Sequence, residues 1–204
     1  MRRRLFLSSC AAAGLLAALD GGAAEFATDT PAATIATLQQ NLIAVASGSS
    51  SATIEQRYRA LEPVIVATHD LPYIAEFALR RQWSSFNEAD RQRFVAAFQR
   101  LSVMTYAARF KAVGADTFRA IAAQPADSSG RVLVSTAVAR AGQPDVRLEY
   151  LLQQGEQGWR IINVVADGVS DLALKRAEYQ RVFTTGGLNG LIAELESQTQ
   201  RLTQ

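Results

Sequence analysis

Few side chains in this 204-residue chain are of types that do chemistry, and their spacing offers little. There is one histidine, His69, and it sits beside Asp70. A His–Asp pair can orient a base for a nucleophile. Yet the chain has no G-x-S-x-G turn, and its one cysteine, Cys10, lies near the N-terminus. The simpler reading of the pair is a loop histidine next to a helix-capping aspartate. A single histidine without an H-E-x-x-H pattern makes no metal site. Asp167-Gly168 follows an apolar run, where a carboxylate can be catalytic, but a turn aspartate is the more common case. Gly186-Gly187-Leu188-Asn189-Gly190 precedes a helix, as phosphate-cradling loops do. It lacks the lysine and Ser/Thr of a P-loop and reads as an inter-helix turn. No catalytic residue, metal or cofactor is assigned.

What the chain does supply is apolar surface at regular spacing. Thr30-Pro31 opens a helix, with a threonine cap and proline at the first helical position. Ile35, Leu38, Leu42, Ile43 and Val45 give it one apolar face. After Gly48-Ser49-Ser50-Ser51 a second helix is expected from about Ala52 to Thr68, kinked at Pro63. Asp70 caps a short third helix that ends near Trp83. Asn87 caps a long fourth, with Asp90 in its first turn where the helix dipole favours an anion. Phe94, Phe98, Leu101, Thr105 and Phe110 mark its buried face, flanked by Met104 and Tyr106.

Beyond Gly114 the period changes from helical to alternating. Strands are expected at Phe118–Ile121, around Val132, Val134, Thr136 and Val138, around Val146, Leu148, Tyr150 and Leu152, and from Trp159 through Ile161 and Val164. Short turn-rich segments between them indicate antiparallel hairpins. Leu172, Lys175, Arg176, Tyr179 and Phe183 follow at helical spacing. Gly186-Gly187 breaks that helix, and Leu188, Leu191, Ile192 and Leu195 restart it. Helices, then hairpin-linked strands, then helices is an α+β pattern. The expected fold is a curved antiparallel four-stranded sheet covered by helices. Such a cone is a natural place for an apolar cavity.

Arg2-Arg3-Arg4, the uncharged run Leu5–Leu19 and Gly22-Ala23-Ala24 read as a cleaved secretory signal peptide over residues 1–24. The run is too short for a membrane span of about 20 residues. Three arginines before it suit Sec or twin-arginine export. Removing the segment takes away those arginines and Asp20, leaving 18 basic and 18 acidic side chains of the original 21 and 19. A near-neutral mature chain is no argument for nucleic acid. With Cys10 gone, no disulfide can form, so stability must come from a core. Residues 25–204 are long enough for one sizeable domain.

The order W-x-I-x-x-V-x-x-x-G-V-S from Trp159, K-R-x-E-Y from Lys175 and G-G-x-x-x-L-I-x-x-L from Gly186 resembles the C-terminal part of the MlaC, or toluene-tolerance, family of periplasmic phospholipid-binding proteins. Upstream, Arg57-Tyr58…Leu61-Glu62-Pro63, Asp70-Leu71-Pro72-Tyr73-Ile74-Ala75 and Trp83 followed by Arg91, Phe94 and Phe98 resemble its other motifs. His69 and Arg80 depart from the pattern, where the family has an aromatic and a glycine. The segments Ser102–Phe110 and Val169–Tyr179 are similar to the hopanoid-associated HpnM branch. The resemblance implies an NTF2-like cone with extra N- and C-terminal helices. It further implies a soluble periplasmic carrier of phospholipid, or of a hopanoid-type lipid. The implied partners are an inner-membrane lipid ABC transporter complex and an outer-membrane lipoprotein complex. The expected pocket lining is Trp83, Phe94, Phe98, Leu101, Met104, Tyr106, Phe110, Val134, Tyr150, Leu152, Ile161, Val164, Leu172 and Tyr179. Two other readings stay open: a cone-fold isomerase or dehydratase using His69 and Asp70, and a scaffold with a filled core.

Overall fold

Capping side chains set the helix boundaries. In the computed structural model, which describes residues 26–48, 52–110, 117–125, 128–140 and 142–203, α1 spans Pro31–Gly48 and α2 spans Ile54–Thr68. Thr53 and Gln56 form a reciprocal capping box at the start of α2. The helix continues through Pro63. Asp70 caps α3 (Leu71–Ala78), accepting from the Tyr73 amide at 3.1 Å. The third helix, expected to end near Trp83, stops at Ala78, and a separate four-residue helix, α4 (Arg80–Trp83), follows it. Asn87 caps α5 (Glu88–Arg109). Residues 1–24, read as a signal peptide, lie outside the described residues.

The strands form a simple antiparallel meander, β1-β2-β3-β4-β5. They span Phe118–Pro125, Val132–Arg140, Gln143–Gly155, Gly158–Ala166 and Val169–Ser170. The two-residue β5 makes the sheet five-stranded where four strands are expected from the sequence. Asp167 and Gly168 both take positive φ, 47° and 83°. That is the sign pattern of an Asp-Gly hairpin turn, and it pairs Val169–Ser170 back onto β4 before the helix starts. The Asp167 carboxylate accepts from the Arg147 amide at 2.9 Å, so it serves the turn. At the other end of β4, Gly158 meets the N-terminal segment. A Cβ there would lie 2.6 Å from the Thr28 carbonyl oxygen, and the Trp159 amide donates to that oxygen at 2.7 Å. Bulges in β1 and between Leu151 and Leu152 interrupt the ladders. Bulges bend a strand and raise its local twist.

α6 runs over Asp171–Leu202 with Gly187 non-helical inside it (φ 61°, ψ −162°), so two arms meet at the expected glycine break. Gln198 donates to Glu178 at 2.6 Å, which ties the second arm to the first. The core lies between the sheet, α1, α2, α5 and α6, with Leu38, Leu61, Ile65, Phe94, Met104, Leu152 and Leu191 fully buried. Met104, expected to flank the buried face of α5, stands in its middle. The buried stripe is Phe94, Phe98, Leu101, Met104 and Ala107, a three-to-four-residue spacing that leaves Thr105 only partly covered.

Candidate functional site

A cavity of about 650 Å³ opens between the sheet and the helices α3, α5 and α6. β3 and β4 supply Leu148, Tyr150, Ile161 and Val164; α5 supplies Phe98, Leu101, Ser102, Thr105 and Tyr106, and Phe110 follows it. Leu71 and Ile74 come from α3, and both arms of α6 contribute, Leu172 and Tyr179 from the first and Leu202 from the second. Among the described lining residues the charged ones are Arg109, Asp171, Lys175, Glu178 and Arg201. Lys175 is paired with Asp171 at 2.5 Å. Three large apolar residues are exposed among those described, and two of them, Val169 (53%) and Leu174 (59%), border this cavity. They mark its mouth as an apolar rim among charges.

Of the expected lining, Phe98, Leu101, Tyr106, Phe110, Tyr150, Ile161, Val164, Leu172 and Tyr179 border the void. Trp83, Phe94, Met104, Val134 and Leu152 do not. Phe94 packs edge-on against Trp83 and Tyr179, with ring centres 6.5 and 6.1 Å apart. Met104 and Leu152 are fully buried in close-packed core, and Val134 lies further across the sheet on β2. The helical period places these residues on the correct face, but a face has length, and only part of it borders the void.

The wall also carries polar groups, and periodicity reached only some of them. The α2–α3 junction is tied to β4: the Asp70 amide donates to the Ile161 carbonyl at 3.0 Å, which sets His69 beside Ile161. His69 is 4% exposed, and burial pushes its pKa down to about 4. The neutral ring has one consistent tautomer. Nδ1–H donates to the Ile65 carbonyl (3.2 Å), with Thr68 Oγ1 also close at 3.0 Å, and Nε2 accepts from the Tyr106 hydroxyl at 2.9 Å. Burial raises the Tyr106 phenol well above its usual value. Tyr150 is pushed up to about 12 by burial, and hydrogen bonds with Gln39 and Thr136 act in the opposite direction. Tyr179 is raised as well, chiefly by burial. Asp70 does not border the cavity; it caps α3. Lys175 was legible from its spacing with Leu172 and Tyr179. Asn163, Gln198 and Arg201 carry no such signal.

This arrangement suits retention of an apolar ligand better than proton transfer. Its one histidine has both nitrogens engaged, and its carboxylates, Asp171 and Glu178, are held by Lys175 and Gln198. Among the described residues no group of three or more His, Cys, Asp or Glu could hold a metal ion, and no helix is long and apolar enough to cross a membrane.

Two comparisons with known proteins bear on it. Residues 36–197 match a family model described as MlaC protein. The solved structure of a phospholipid-binding protein from Ralstonia solanacearum, in complex with a phospholipid, matches with a TM-score of 0.74. The identity is 22%, and the match covers 84% of this chain and 98% of that one. At that identity the likeness is one of fold.

Proposed function

This chain belongs to the MlaC protein family, and from that premise we propose that it binds a lipid and carries it through the periplasm. The observation that carries the reading is the hollow of about 650 Å³ whose described wall is mostly aliphatic and aromatic, with charged side chains in the minority. At about 30 Å³ per methylene-sized group, near the volume share of a water, that is room for about 20 such groups. Burying them is worth about 0.8 kcal/mol each, or roughly 16 kcal/mol in all. That retains one acyl chain and part of a second, with the remainder against Val169 and Leu174 at the rim. The bound phospholipid of the Ralstonia solanacearum protein supports the same cargo class.

The bulged sheet under crossing helices fits an NTF2-like cone. The basic, apolar and small-residue segments of residues 1–24 support export by Sec or the twin-arginine route. In this reading a phospholipid, or a hopanoid-type lipid as in the HpnM branch, passes between an inner-membrane ABC transporter complex and an outer-membrane lipoprotein complex. The enzyme reading is weaker because His69 is partnered by Tyr106 and not by Asp70. A scaffold would need no hollow.

The test is lipid loading from phosphatidylglycerol vesicles, followed by solvent extraction and mass spectrometry. Leu101→Asp and Tyr150→Asp variants that keep the native circular dichroism should load at least tenfold less lipid than the unaltered chain. Equal loading would remove the cavity from the account.

A further inference from the structure

A second cavity, of about 220 Å³, adjoins the first: Ile162 and Asn163 of β4 and Leu172 of α6 border both. Its chemistry is different. Arg131 and Arg176 line it, Tyr73 and Phe77 of α3 form an aromatic side, and no carboxylate borders it among the described residues. The main cavity, by contrast, has Asp171 and Glu178 among its lining residues.

The cations here are held in place by neutral groups. Arg131 donates from Nη2 to the Tyr73 hydroxyl at 3.2 Å and from Nε to Gln153 at 3.4 Å. A guanidinium has five N–H groups, so about three remain uncommitted. The Arg176 guanidinium lies 5.2 Å from the Phe77 ring centre, and Arg80 lies 5.6 Å from the same ring. Tyr73 stacks on Phe77 at 6.0 Å. Among the described residues none of these three arginines is in an ion pair. Like charges gathered on one aromatic platform repel, and an anion between them would relieve that repulsion. The Asn163 carbonyl oxygen accepts from Ser170 Oγ at 3.1 Å and from the Leu172 amide at 3.3 Å. That leaves its NH₂ group as a further donor at the cavity.

We propose that this smaller cavity binds a phosphate-class oxyanion, bridged by Arg131 and Arg176 and assisted by Asn163. A phosphate group has enough oxygens to engage both planar forks, whereas a carboxylate is satisfied by one. The volume equals about seven water shares of about 30 Å³, enough for a phosphate with a short substituent. Two sources would present this group, a lipid headgroup and a soluble phosphate ester. Only the first rests on the lipid reading above.

The experiment separates them. Amide shifts of the ¹⁵N-labelled full chain are followed during titration with inorganic phosphate, glycerol 3-phosphate and acetate. In parallel, the chain is loaded from vesicles containing phosphatidylglycerol or diacylglycerol. Both are repeated with Arg131→Gln/Arg176→Gln and with Arg131→Lys/Arg176→Lys. Saturable shifts at Asn163, Ser170 and Leu172 with the phosphates, weakened about tenfold or more in the Gln pair and partly kept in the Lys pair, establish the site for soluble phosphate. No shifts, but about tenfold preference for phosphatidylglycerol over diacylglycerol that the Gln pair loses, assign it to a headgroup. Acetate acting as strongly as phosphate overturns the phosphate class in favour of a carboxylate or acidic peptide. Behaviour of the Gln pair identical to the unaltered chain in both arms overturns the site, even where both lipids load. Phosphate binding without loading of either lipid keeps the site and overturns the lipid reading instead.

Discussion

Two regions between α5 and α6 are built from the same kinds of residue and finish differently. In one, Trp83, Phe86, Phe94, Phe98, Tyr179 and Phe183 meet with ring centres 5.8 to 6.5 Å apart and fill the space where α4, α5 and α6 converge. In the other, Leu101, Tyr106, Tyr150, Val164 and Leu172 face each other across a void. Phe98 and Tyr179 belong to both. The difference lies in what the walls are tied to. In the filled region the aromatic rings pack on one another. In the hollow region polar groups tie the walls: Tyr106 to His69 and Glu178 to Gln198. Satisfied hydrogen bonds of buried groups are expensive to break, so these walls do not collapse inward.

The largest expected effect tests the filled side. Phe94→Ala removes a fully buried ring and should cost about 3–5 kcal/mol in urea unfolding. Leu101→Ala, beside an existing void, should cost about 2 kcal/mol, the low end for a buried leucine. Equal losses would erase the distinction between the two regions.

The next effect tests the polar anchors. His69 titrates at about 4 in the folded protein against about 6.5 unfolded. The unfolded chain therefore takes up the proton first as pH falls. The contribution is fully present above about pH 6.5 and is lost as pH falls through about 4, on the order of 3 kcal/mol. Denaturant titrations between pH 7.5 and 4 should show this slope, and His69→Gln should flatten it. An unchanged slope would mean that His69 is not held neutral.

The smallest effect on stability fills the hollow. Ser102→Phe places a ring in the void and should change unfolding free energy by about 1 kcal/mol or less, because the space is already there. A loss of several kcal/mol would show that the region is close-packed.

Much of the fold was legible because it is written locally. Asn87 and Asp70 announce helix starts, alternation from Val132 to Val164 announces the strands, and Gly186-Gly187 announces the break in α6. The fifth strand was missed because two residues cannot show a period. The candidate site was legible only as a set of faces. Phe94 and Leu101 stand on one stripe of α5 and read alike, yet one is core and the other borders the void. Whether a face is covered depends on how far the opposite wall stands off, and that is set by tertiary hydrogen bonds such as His69–Tyr106. The arginine platform at Phe77 joins α3 to the start of β2 and to α6, three segments far apart in the chain, so no spacing rule reaches it.

The most direct test of the hollow as a lipid site is native mass spectrometry of the chain from its own cells and again after incubation with phosphatidylglycerol vesicles. The account predicts a species heavier by one lipid, released by organic solvent and depleted in Ser102→Phe. A bare protein under both conditions, or the same lipid load in Ser102→Phe, would contradict it.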